Sequence, residues 1–419
     1  MGFQQGLSGL NAAAKSLDVI GNNVANASTV GFKQSQTQFA DVYASTLGGS
    51  GGLAAGIGTK ISSVAQQFGQ GNISVTNNPL DIAISGQGFY QLDNNGAIAY
   101  SRNGQFQLDK NGFIVNAQGH KLTGFAANPV TGAISLGSAV PLQVSTMALT
   151  PLPSSTSSVG VNLDSRMLVP TTATFSPTDS KSYNSSTALT LYDSLGNSHI
   201  ATTYFVKQAL VNTWDVHMTV DGLGLDGTAA TATNTLLGTS PTLTFNTTGA
   251  LITPATGIVS VPGIVYATGS TTPQPMTFNF LSSTQFGAAF AVNQLTQNGY
   301  TSGQLSGFNT SADGTIVGRY TNGQSKALGQ ILLANFPNQQ GLQPLGNNEW
   351  SASASSGSAL IGMPGTSSLG VVQSSSVEDS NVDLTAELVN MIMTQRVYQA
   401  NAQTIKTQDA MMQTITNLR

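Results

Sequence analysis

Apolar and small residues recur near the start of the chain in alternating steps of four and three: Phe3, Leu7, Leu10, Ala14, Leu17, Gly21 and Val24. This spacing is a heptad seam, which predicts an amphipathic helix with one adhesive stripe. The far end carries the same signal. Leu384, Leu388, Met391, Gln395, Tyr398, Ala402, Ile405, Asp409 and Met412 follow the same steps, and Ile392, Met411, Ile415 and Leu418 widen the stripe. Asn381 or Asp383 can cap this second helix, and Glu387 suits the positive charge of its first turn. Like seams at opposite ends of one chain make the two helices expected partners.

Between the helices the pattern becomes that of strands. Over residues 80 to 125, Asn-Gly pairs recur at 95, 103 and 111, with Tyr, Phe, Ile and Leu between them. Asn-Gly supplies the positive φ that tight hairpin turns require, so an antiparallel meander is predicted. The stretch TPLPSSTSS at 150 to 158 marks a boundary. Short strands separated by Gly, Asp-Gly and Ser/Thr/Pro turns fill about 160 to 296, and a further strand block runs from Tyr300 to about Val372.

The expected fold class is therefore mixed and mainly β: nested all-β domains carried on a pair of N- and C-terminal α-helices that form a coiled-coil-like inner domain. Residues 1–79, a helix plus a Gly-rich connecting segment, join 373–419 in that inner domain. Residues 80–150 and 297–372 form one split β-domain, and 151–296 an outer β-domain inserted within it. A heptad stripe is commonly buried within its own protein. Here, however, helices at the extreme ends have little β-body of their own to cover them, which makes them candidates for burial against other chains.

Charge changes this picture. Only 8% of residues are Asp, Glu, Lys or Arg, against about 25% in an ordinary globular protein. Ser, Thr, Asn, Gln and 46 Gly take their place. With 14 basic residues against 18 acidic ones and no basic cluster, the chain lacks the electrostatic footprint of a nucleic-acid or anionic-membrane binder. There is no cysteine, hence no disulfide framework or thiolate metal site. No run of about 20 apolar residues is present to insert in a membrane. The N-terminus has neither the basic nor the apolar part of a cleavable secretory signal, so export, if it occurs, is expected to remove nothing.

Candidate chemistry is sparse. His120, His199 and His217 lie far apart, none in a zinc-like spacing. Gly48 to Gly52 matches G-x-S-x-G formally, but within a Gly-rich run rather than the strand-to-helix turn that such a nucleophile needs. Gly58-Thr59-Lys60 lacks the Gly-Lys of a phosphate loop. Asp93, Asp109, Asp221, Asp226 and Asp313 sit in or beside turns, where a carboxylate bonds its own backbone. No catalytic, cofactor-binding or metal-binding residue is nominated, no cofactor is expected, and the chain is read as a non-enzyme.

The stretch ANASTVGFK, with Asn26, Gly31 and Phe32, resembles the A-N-x-x-T-x-G-F signature of bacterial flagellar rod and hook axial proteins, and SNVDLTAELVNMIMTQRVYQANAQTIKTQD is similar to their C-termini. SYNSSTALTLYDSLGNSHIATTYFVK, with Tyr192, Asp193, Gly196, Asn197 and His199, resembles the outer domain of flagellar hook proteins. The resemblance implies an extracellular hook subunit exported unfolded through the flagellar type III apparatus without signal cleavage. It implies self-assembly beneath a hook cap into a curved tubular helix that joins distal rod to filament, through hook-filament junction proteins, as a universal joint. The terminal seams would then be assembly surfaces. Residues 20 to 33 would be a corner: Gly and Asn at 21 to 23 weaken the helix, Asn26 and Gly31 suit turns with positive φ, and Phe32 anchors the departing chain. The alternatives are a straight distal rod subunit, a secreted β-rich adhesin, and an exported β-helical glycan-cleaving enzyme, for which no carboxylate cluster is evident.

Overall fold

The computed structural model describes residues 2–42, 56–129, 131–145, 147–238 and 242–417. The Gly-rich run at 48 to 52 lies outside them, as do Leu418 and the side chain of Ile415. The architecture is mainly β, with one long helix at each end, α1 (Gly2–Ala25) and α2 (Leu384–Asn417), in contact with each other. The chain divides into two compact units: Met1–Thr146, Gly307–Arg319 and Ser325–Arg419 in the first, Met147–Ser306 and Tyr320–Gln324 in the second.

In the first unit α1 runs through Gly21, Asn22 and Asn23 before ending at Ala25, so the poor helix formers do not stop it. A region expected to be a Gly-rich connector instead supplies two long strands, β1 (Ser35–Val42) and β2 (Gly58–Gln66), including Gly58-Thr59-Lys60. They pair antiparallel from Ser35 opposite Gln66 to Val42 opposite Gly58, with an irregularity at Gln38 and Phe39. Along SQTQFADV the side chains alternate between half-buried and exposed, apart from the break at Gln38 and Phe39, as the two faces of a strand do, and both strands pack along α1.

Beyond them, antiparallel neighbours Ser325–Ile331, Lys121–Ala126, Phe89–Asn94, Ala97–Ser101, Glu349–Ser351 and Gln343–Gly346 form the main sheet. One cluster of its core is largely aromatic: Phe89, Tyr100, Phe336 and Trp350 pack edge to face with Phe68 at the cluster's side, an arrangement favoured by ring quadrupoles. Of the three Asn-Gly pairs only Asn95-Gly96 makes the two-residue hairpin, both residues at positive φ. Asn111-Gly112 lies in a longer turn held by the Asp109 carboxylate, which accepts from the Asn111 and Phe113 amides. Asn103-Gly104 is no hairpin, because the Gly104 carbonyl accepts from the Ile82 amide of another strand. Side chain and sheet contacts, not the dipeptide, decide the local geometry.

The second unit is a pair of five-stranded sheets. One has Thr156–Asp164 at its centre, parallel to Gln274–Asn279 and Thr284–Phe286 and antiparallel to Ala291–Gln297. The other runs Ser185–Tyr192, Ser198–Lys207, Thr213–Val220, Thr242–Phe245 and Leu251–Thr253, all antiparallel. One cluster draws Val159, Val161, Phe278 and Phe280 from the first sheet and its loop and Phe205, Trp214, Val216 and Met218 from the second. Such a shared, fully buried core makes this unit a sandwich.

Candidate assembly surface

The two helices run antiparallel: Gly6 lies against Ile405, Gly9 against Asn401, and Ser16 and Ile20 near Asn390 and Thr394. The stripe that packs on α2 and on the β1–β2 hairpin is made of Gly6, Gly9, Ala12, Ala13, Ser16, Val19, Ile20 and Asn23. Small residues let the helix axes approach; a Cβ on Gly9 would stand 2.8 Å from the Asn401 side chain. Asn23 fixes the hairpin, its amide donating to the Ser35 carbonyl at 2.8 Å and accepting from the Ser35 amide at 2.9 Å. Asp383 is the N-cap of α2, accepting from the Thr385 and Ala386 amides. Asn381 does other work, accepting from the Gln34 amide and donating to the Gln67 carbonyl.

The seam residues occupy a different face. From Leu7 on, every seam position of α1 falls one residue after a member of the packed stripe: Leu7 after Gly6, Leu10 after Gly9, Ala14 after Ala13, Leu17 after Ser16, Gly21 after Ile20 and Val24 after Asn23. Phe3, half exposed at 50%, and Leu7 face solvent, while Leu10, Ala14, Leu17 and Val24 are partly covered. On α2, Leu384, Leu388, Tyr398 and Met412 are exposed, and Met391, Ala402 and Ile405 are half-buried. Ile392 and Met411 are exposed too, as are Val389, Met393 and Val397, which the heptad count omits because they stand beside its stripe. The exposed apolar side chains of α2 gather at 384 to 398 and again at Met411 and Met412, and clustered exposure of this kind marks interaction surfaces. These side chains are already about half covered, so completing the burial of each would yield about half of the roughly 1.5–3 kcal/mol that a fully exposed one gains.

The corner after α1 holds by hydrogen bonds and charge. Asn26 does not take positive φ; its amide donates to the Asn22 carbonyl and its Oδ1 accepts from Thr29. Gly31 does, at φ 72°, and a Cβ there would sit 2.6 Å from the Asn103 nitrogen. Phe32 is only half-buried, and the side chain that anchors the departing strand is Lys33, 1% exposed. Its ammonium donates to Glu378 Oε1 at 2.6 Å and to the Gly69 carbonyl at 2.8 Å. The same oxygen accepts from the Gly71 amide, while Arg102 lies 3.4 Å from Glu378 Oε2. Burial pulls the Lys33 ammonium below its usual range, Glu378 opposes this, and Arg102 adds to it. The knot joins the strand after α1, the meander and the strand Ser376–Glu378 that leads back to α2. That last strand pairs with Ile73–Val75, as Val371–Ser374 pairs with Ile82–Ser85, so chain leaving and chain returning run side by side.

In the second unit Asp193, between Tyr192 and the Gly196 turn, is a buried turn holder. It accepts from the Leu195 and Asn197 amides, the Asn197 side chain and Thr268. Burial opposes its charge, but the bonds from Asn197, Thr268 and His199 outweigh burial and hold its carboxyl well below the usual range. His199 stacks on Tyr266 and faces Asp193 and Asp221. His120 pairs with Glu349, and His217 bonds Thr235. The carboxylates of Asp93, Asp109, Asp221, Asp226 and Asp313 all accept from nearby backbone amides. Among the described residues no group of three or more acidic and histidine side chains is placed to hold a metal ion, and no helix is long and apolar enough to cross a membrane.

Known proteins share this plan. Residues 3–33 match the flagella basal body rod protein family, 83–164 the flagellar hook protein FlgE/F/G D1 domain, 162–300 the flagellar basal body protein FlaE D2 domain, and 373–418 the flagellar basal body rod FlgEFG protein C-terminal region. The flagellar hook proteins FlgE of Escherichia coli K12 and Salmonella typhimurium are each 43% identical, over the whole of both chains. That of Treponema pallidum is 31% identical, over 99% of this chain and 98% of its own. The crystal structure of Helicobacter pylori flagellar hook protein FlgE2 shares the fold with a TM-score of 0.52 at 13% identity, over 73% of this chain and all of its own. Because the likeness runs from the exposed terminal helices through both β-units at such identity, the chain belongs to the flagellar hook protein FlgE family.

Proposed function

We propose that this chain is the structural, non-enzymatic subunit of a bacterial flagellar hook, polymerising through the free faces of its terminal helices into a curved flexible tube. The observation that carries the reading is the helix pair, which packs internally through small residues and leaves Phe3, Leu7, Leu388, Tyr398 and Met412 outward. The two β-units have closed cores of their own; the helices do not. Identical chains joined head to tail by contacts that do not close into a ring continue as a helical filament. The three-part nesting of inner helices, split β-domain and inserted outer domain belongs to the same proposal. So do its outside partners: distal rod, hook cap, hook-filament junction and the type III export apparatus.

As a universal joint the tube would bend while it turns, each subunit contact lengthening and shortening once per revolution. Ser, Thr, Asn, Gln and Gly at such contacts exchange water-mediated bonds among shallow alternatives, and with 8% charged residues few ions would be stranded. Removing residues 384–419 tests the role of the helices. The expected product has native-like β circular dichroism and forms no tubes by electron microscopy. Normal tubes from the truncated chain would overturn the reading.

A further inference from the structure

Between α1, the first turns of α2 and β1 lies a cavity of about 270 Å³, walled by Ser16, Asn23, Gln34, Thr37, Glu387 and Thr394 among others. Glu387 is the single formal charge in that wall, and it is 3% exposed. Its Oε1 accepts from the Gln34 side-chain amide at 2.5 Å. Its Oε2 has no hydrogen-bond partner, and neither has the Thr37 hydroxyl. No ion pair among the described residues includes Glu387. The contrast with Glu378 is direct: that buried carboxylate holds Lys33 and faces Arg102. The positive first turn of α2 and the Gln34 amide offset part of the cost of burying the Glu387 charge. An uncompensated carboxylate remains, beside an unused hydroxyl and a space large enough for a side-chain head group.

One carboxylate with hydroxyl and amide neighbours suits a single positive charge; divalent ions draw on several carboxylates. The helix pair also carries the complement. Arg396 and Lys406 on α2 are exposed, and among the described residues neither has an acidic partner. We propose that the Glu387 cavity is a receptor for a cationic side chain of α2, Arg396 or Lys406, from a second copy of this chain. The inference rests on the hook reading above and adds to it a charged lock beside the apolar seams.

The test compares the critical concentration for polymerisation of the full chain with that of Glu387→Gln, by sedimentation and electron microscopy, together with monomer melting. The amide keeps the shape of the side chain and removes its charge. E387Q monomer should therefore melt at or above the wild-type temperature, while its critical concentration rises about tenfold or more. The double variant R396Q/K406Q should show the same rise, and adding E387Q to it should produce no further loss, because interacting groups are not additive. Wild-type tubes with unchanged assembly of E387Q would overturn this inference alone. So would independent, multiplying effects, or a marked fall in the E387Q monomer's melting temperature, which would assign the carboxylate to the fold. Failure of the wild-type chain to form tubes would overturn both this inference and the hook reading.

Discussion

His217 has its ring stacked on Phe175 at a centroid distance of 4.1 Å, and its Nδ1 lies 3.1 Å from the Thr235 hydroxyl. That hydroxyl already donates to the Thr231 carbonyl, so Nδ1 of the ring must donate to it. Burial pulls the His217 pKa down to about 4, whereas an unfolded histidine titrates near about 6.5. Between those values the unfolded chain binds the extra proton. The contribution is present above about pH 6.5 and is lost as pH falls toward 4, amounting at most to about 3 kcal/mol. The chain has two tryptophans, and Trp214 lies in the core of the second unit. Denaturant melts followed by Trp214 fluorescence in a Trp350→Phe background should therefore weaken between pH 7 and pH 5. In a further His217→Gln variant most of that fall should vanish. An equal fall in both would assign the pH dependence to other groups.

At the scale of elements, α1 and α2 behave differently because they are covered differently. Gly6 opposite Ile405 and Gly9 opposite Asn401 fix the antiparallel register, so α2 continues roughly two turns beyond the start of α1. Its final part, with Met411 and Met412 exposed, has no helix beside it. An isolated helical end is marginal in water. Hydrogen exchange on the monomer should find amides at about 409 to 417 fastest, those at 387 to 405 slower, and both slow once tubes form. Equal protection in monomer and tube would remove assembly as the source of helix stability. The helices were legible because a heptad pattern survives any tertiary context. Their faces were not, because the packed stripe of Gly6, Gly9, Ala13 and Ser16 is the seam displaced by one residue. Its small side chains look neutral until a partner helix is seen. β1 and β2 were missed for a related reason: their polar alternation yields little hydrophobic signal, and neighbouring glycines suggested a linker.

For the molecule as a whole, the β-rich middle and the paired ends followed from periodicity and turn residues, while the Lys33–Glu378 knot joins positions 345 apart in sequence, a pairing that no local pattern encodes. The second unit is where chain topology gives a further expectation. Its own core contains Phe205, Trp214, Phe278 and Phe280, and it contains neither terminal helix. Leu149 and Gly303, near its two ends in the chain, exchange backbone hydrogen bonds, and Leu152 does the same with Tyr300. Its incoming and outgoing segments therefore run together and can be closed by a short link. Under the proposed function this unit would shape the tube rather than create it. Polar contacts between such units are individually weak, yet a bias of a few kcal/mol per conformational switch selects one packing over another. Replacing residues 147–306 by a short Gly/Ser linker should leave the helices able to polymerise but yield straight tubes with impaired motility. Loss of all assembly despite normal expression, or hooks of unchanged curvature, would show that the second unit has a different role.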